Sequence, residues 1–99
     1  MSAEPSVVLP ERAGSRKEAR THLEKTLPAD LTGLTVNVNG DGLAVSAPSY
    51  LDELVKVILE ERHADRLVLR NCPRRAAGLV LASAQRRGLE DRLVVRGTK

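Results

Sequence analysis

The sequence predicts an α/β fold: a small mixed, mostly parallel sheet of four to five strands covered by three helices, in the order β-α-β-(β)-α-β-α-β. Three observations predict it. Short runs of aliphatic residues alternate with segments of helical periodicity. Most runs are separated by crossovers of a dozen residues or more, which parallel pairing requires and which take a right-handed path. The 99 residues suit one domain, 1–99, with no room for a second core.

Ser6 to Leu9 is an apolar run stopped by Pro10, read as a strand entering a turn, with 11–14 as a loop. Ser15-Arg16-Lys17-Glu18 spells a capping box, in which the serine hydroxyl accepts from a first-turn amide and Glu18 reaches back. Ala19, Leu23 and Leu27 follow every four residues and Pro28 stops the pattern, so a helix is predicted over 16–27. Leu34 to Asn39 alternates apolar and polar, a half-buried strand with Leu34, Val36 and Val38 inward. Asn39-Gly40-Asp41-Gly42 is turn chemistry. Residues 43–45 are extended again. They form either a strand hairpinned to 34–39, the preferred reading, or an irregular return to the sheet.

The clearest helix is predicted over 50–63. Ser49 stands as its cap, ahead of the stripe Leu51, Leu54, Val55, Ile58 and Leu59. Asp52 and Glu53 lie at the positive end of its dipole, and Arg62 and His63 at the negative end. Arg66 to Arg70 is a strand whose continuous Leu67-Val68-Leu69 suits burial on both faces. Asn71-Cys72-Pro73 opens a third helix with proline at its first position, and Gly88 ends it. Arg92 to Arg96 is the last strand. Residues 1–5 and 97–99 are expected to fray.

Hydrophobic residues make up 41% and charged residues 29%, which argues against disorder. Tyr50 is the sole aromatic, so the core is aliphatic and nucleic-acid binding by base stacking is disfavoured. No apolar run is long enough to cross a bilayer, and residues 1–9 lack the pattern of a secretory signal. One cysteine excludes an internal disulfide framework, and with two histidines it argues against a zinc site. The chain is expected to be cytoplasmic, without metal, cofactor or membrane. Its charge is divided: residues 1–61 carry −4 and residues 62–99 carry +7. Such polarity steers an anionic partner or simply solvates the surface.

Little in the sequence points to catalysis. His22 and His63 have no metal-ligand spacing. Cys72 stands at a helix start beside Arg74 and Arg75, which favours a thiolate, but no base accompanies it, so it reads as a small buried residue. Phosphate-cradling glycine motifs are absent. Without an acid–base pair the chain is not expected to be an enzyme. The segment Ser46-Ala47-Pro48-Ser49-Tyr50 is more informative. Structurally, Ser49 caps the helix and Tyr50 packs over its first turn. Functionally, a phosphate on Ser49 would add roughly two negative charges at the helix start, beside Asp52 and Glu53.

Here the chain resembles STAS domains, the fold of anti-sigma factor antagonists, and most of all a STAS-like group found in bacteria and phages. Gly14-Ser15-Arg16 looks like that group's early Gly-Ser-Arg, and Val36-Asn37-Val38 like its Val-Asp-Phe strand. Ser46 to Leu54 (SAPSYLDEL) looks like its Ser-Ser-Ser-Phe-x-Asp-Glu-Leu. Ala47 stands where antagonists have aspartate, Tyr50 where they have glycine, and Asn37 where the strand has aspartate. The resemblance implies a regulatory protein-interaction module whose Ser49 is phosphorylated by a histidine-kinase-type ATPase that is also the docking partner. Docking would use the loop 40–50 and the exposed face of helix 50–63. The candidate partner-binding residues are Asp41, Ser46, Ser49, Tyr50 and Glu53, with Ser49 the candidate phosphorylation site. Two other readings stand beside it: a small basic nucleic-acid-binding protein using 62–99, and a self-assembling structural or phage-derived component using an exposed edge strand.

Overall fold

Side chains alternate along a strand, so Val36 and Val38 share one face of the sheet, as do Leu67 and Leu69, and all four are fully buried. The computed structural model describes residues 4–98. In chain order its elements are β1 (Ser6–Val8), β2 (Arg12–Ala13), α1 (Arg16–Thr26), β3 (Thr35–Asn39), β4 (Val45–Ser46), α2 (Pro48–Val55), β5 (Arg66–Cys72), α3 (Arg74–Arg86) and β6 (Leu93–Thr98). A π-helical stretch, Lys56–Glu61, continues α2, and a 3-10 turn, Glu90–Arg92, precedes β6. Strands β1-β3-β5-β6 form one all-parallel sheet, and β2-β4 a small parallel pair. The strand order steps one way only. Right-handed crossovers therefore place all three helices on the same side of the sheet.

This is the α/β class expected, with two corrections. The hairpin does not form: β4 pairs in parallel with β2, and the Ala44 and Val45 amides donate to the Glu11 carbonyl at 2.9 and 3.0 Å. The reason lies in the turn. Asn39 Oδ1 accepts from the Asp41 amide at 2.9 Å, which bends the chain without reversing it. The Gly40 amide still donates to the Arg70 carbonyl at 2.8 Å, and a side chain at 40 would lie 3.0 Å from Cys72 Sγ and Cα. Glycine is required by that approach. Thus β1–β2 and β3–β4 are two bent strands side by side.

The second correction concerns β5, which among the described residues is covered by helices on one face only. Leu67 and Leu69 meet the helices, whereas Val68 faces the other way between the exposed Arg66 and Arg70. Val68 is 7% exposed because it forms the floor of a depression, not because a second layer covers it.

Helix α2 is the middle helix, packed between α1 and α3. Leu51, Leu54, Val55, Val57, Ile58 and Leu59 are all buried, which is why its apolar residues run nearly all round. Each contributes about 1.5–3 kcal/mol on burial, so this element anchors the core. Ser15 caps α1 as predicted, its Oγ accepting from the Glu18 amide at 3.1 Å. Gly88 ends α3 at φ +68°, also as predicted. Pro73 is the residue before α3, not its first position. Fraying expected at 1–3 and 99 falls outside the described residues, while Gly97 and Thr98 belong to β6. No helix among the described residues is long and apolar enough to cross a membrane.

Candidate functional site

In a parallel α/β sheet the loops after the strands' carboxyl ends are the usual place for recognition. Here β3 ends at Asn39 and β5 at Cys72, and α2 and α3 begin beside them. Arg75, in the first turn of α3, donates Nη1 to the Ser46 carbonyl at 3.3 Å and ties the corner together.

Asp41, Ser46 and Ser49 reach the surface of this corner: Asp41 is exposed in the bend, Ser46 half-buried in β4, and Ser49 half-buried in α2. Ser49 is not the cap. Ala47 takes that position and Pro48 is the first helical residue, because the fixed φ of proline suits the first turn. The helix therefore starts two residues earlier than predicted, with Ser49 inside its positive end.

Tyr50 and Glu53 do not join the corner. Tyr50 is buried, with its hydroxyl 3.1 Å from His22 Nδ1 on α1. Burial, then the nearby charge of Glu18, pushes its phenol up to about 12. It packs inward, where a partner does not reach it. Glu53 is 2% exposed and faces α1. Its carboxylate accepts from Arg16 Nη1 at 2.9 Å and from Arg20 Nη2 at 2.6 Å. The exposed face expected on 50–63 is correspondingly small, because most of that helix is core.

Asp52 sits between α1 and α3. It accepts from Ser83 Oγ at 2.6 Å, Arg16 Nη1 at 2.9 Å and Arg87 Nη2 at 2.9 Å. Burial raises the carboxyls of Asp52 and Glu53, but the hydrogen bonds from Ser83, Arg16 and Arg87 on Asp52, and from Arg16 and Arg20 on Glu53, outweigh it and hold both below the usual range. Arg20 likewise lowers Glu61, and Arg87 pairs with Glu60 at 3.1 Å. The two carboxylates that would oppose a phosphate on Ser49 are thus neutralised by arginines of α1 and by Arg87. Sequence reasoning missed Arg16, Arg20, Ser83 and Arg87. The available signal was Arg16 and Arg20 one turn apart, beside a helix carrying the acidic pairs 52–53 and 60–61.

Cys72 is fully buried at the end of β5. His63 follows the second helix at φ +60°. Arg62 donates to the Leu27 and Pro28 carbonyls at 3.0 Å, closing the end of α1, and Arg92 bonds the Leu59 and Ala64 carbonyls behind α2. Two arginines of the basic half are therefore spent on backbone carbonyls of the molecule itself.

Arg74 and Arg75 stand on α3, and three more arginines, Arg66, Arg70 and Arg96, lie on the open face of the sheet. Register places Val8, Asn39, Arg70 and Arg96 in one row across it, and Ser6, Asn37, Val68 and Val94 in the next. Arg66, opposite Thr35, lies beyond them. A depression of about 320 Å³ in this face is lined by Asn37, Arg66, Val68, Arg70, Val94 and Arg96, with Thr35 and Glu4 at its side. Arg70 Nε donates to Asn37 Oδ1 at 3.2 Å, and Asn37 Nδ2 to Glu4 Oε1 at 3.0 Å.

No family model, curated protein or solved structure matches the chain.

Proposed function

We propose that the chain is a non-catalytic protein-interaction module of the anti-sigma factor antagonist kind, docking its partner through the corner at 41–49 and switched by phosphorylation of Ser49. The observation that carries this reading is the setting of Ser49. It lies partly open to solvent in the first turn of α2, where the helix dipole favours an anion. Its acidic neighbours Asp52 and Glu53 are already paired with arginines. A phosphate there meets little repulsion from its own helix, while it changes the charge a partner sees at Asp41 and Ser46. The resemblance of SAPSYLDEL to the STAS-like turn names a histidine-kinase-type ATPase as the partner. Cytoplasmic residence goes with that partner.

The test is affinity capture from the native host, with phosphosites mapped in the same run. Phosphate is expected on Ser49, and the captured partner should bind Ser49→Ala and Ser49→Asp with clearly different affinities. If both variants bind as tightly as wild type, the switch is refuted.

A further inference from the structure

An all-parallel sheet is normally covered on both faces, because each crossover leaves a helix on it. Among the described residues no helix or second layer covers one face of this one. That face also sets three arginines against one carboxylate, Glu4, which lines the same depression and accepts from Asn37. In the helical layer Arg16, Arg20, Arg86 and Arg87 all pair with carboxylates. On the open face Arg66 and Arg96 have no ion pair among the described residues, and the Arg70 side chain meets only an asparagine oxygen. Arg70 and Arg96 are register partners on adjacent strands, about 4.8 Å apart. Like charges directly opposite each other destabilise a sheet. Arg66 lies four residues back along β5, about 13 Å away. Between the two ends, Val68 and Val94 form an apolar floor.

We propose that this face is a second docking surface, and that its occupant is an acidic, amphipathic helix of a partner protein. Carboxylates on that helix pair with Arg66 at one end and with Arg70 and Arg96 at the other, the bidentate geometry that guanidinium favours. A separation of about 13 Å is between two and three helical turns, so both ends are met from one helix face. An apolar side chain between them rests over Val68 and Val94. A second copy is a poor occupant, since face-to-face packing sets the arginines of both copies against each other. Single-stranded nucleic acid is also poorly served, because the face offers no aromatic side chain for a base. The surface lies on the side of the sheet away from α2 and does not depend on the reading of Ser49.

The test uses the unphosphorylated chain and a synthetic helical peptide carrying glutamates two to three turns apart with leucine between them. Methyl and guanidinium resonances are followed by NMR. Saturable shifts are expected at Val68, Val94 and the three arginines. Binding read at Val68 and Val94 should weaken at least about tenfold in the triple variant Arg66→Gln, Arg70→Gln, Arg96→Gln, and binding read at all five residues of the wild type should weaken likewise with a glutamine version of the peptide. The triple variant should melt no lower than wild type, since it relieves repulsion between Arg70 and Arg96. Three outcomes overturn the proposal: shifts confined to the helical layer or absent; tighter binding of single-stranded oligonucleotide at the same salt; or concentration-dependent shifts at these residues without peptide, which assign the face to a second copy. None of these bears on the phosphorylation test, so the two readings fail separately.

Discussion

Tyr50 shows how one side chain can be placed by the company it keeps. It follows two surface residues, Pro48 and Ser49, yet it is among the largest fully buried side chains. A helix turns by about 100° per residue, so the position after Ser49 already faces α1, where His22 meets the hydroxyl. Because the neutral phenol is the favoured form in the fold, its stabilisation is complete below the ordinary value of 10 and is lost as pH rises towards about 12. With a single tyrosine the signal is unambiguous. Tyrosinate absorbance should develop near pH 12 in the native protein and near 10 in urea. A native midpoint near 10 would contradict the burial. The sequence identified Tyr50 as notable, and packing over the first turn was one of its two readings. What it lacked was the start of α2: with proline at the first helical position, Ser49 and Tyr50 are already helical and face about 100° apart.

At the scale of elements, ion pairs tie α1, α2 and α3 together across an interface that sequence periodicity had described only as apolar. Glu53 is buried while Arg16 and Arg20 are about half exposed. Removing the two sides should therefore not cost the same. Arg16→Ala with Arg20→Ala leaves a buried carboxylate uncompensated, at about 3 kcal/mol. Glu53→Leu leaves arginines that regain water, at about 1 kcal/mol or less. Urea denaturation of both variants checks the ranking, and equal or reversed losses would refute it. The helices themselves were legible because their stripes, the Ser15 cap and Gly88 are local signals. Long-range pairing is not local, so the sequence pattern points residues 43–45 towards β3 while β4 in fact pairs with β2. Nothing in Leu43 to Val45 distinguishes an antiparallel return from a parallel pairing with Arg12 and Ala13; the bend at Gly40 against Cys72 decides it.

For the molecule as a whole, acid should be the more damaging direction. Asp52, Glu53 and Glu61 are all held below the ordinary carboxylate range of about 4. The unfolded chain takes up those protons first. The stabilisation is thus complete above that range and is lost as pH falls through the depressed native values. The urea midpoint should fall steadily below about pH 5, and the fall should be shallower in the Arg16, Arg20 double variant. An unchanged slope in that variant would show that these pairs are not the cause. The separation of charge into an acidic and a basic half, so plain in the sequence, does not survive folding as two poles. Folding instead sorts arginines into internal ties and a solvent-facing set, a division that depends on strand register.

That sorting has an evolutionary consequence. The side chains at 66, 70 and 96 never enter the interior, so exchanging them requires no repacking of Leu67, Leu69 or the helices behind. A lineage carrying this architecture is free to change which molecules it meets on the wet side while its folding is maintained from the dry one.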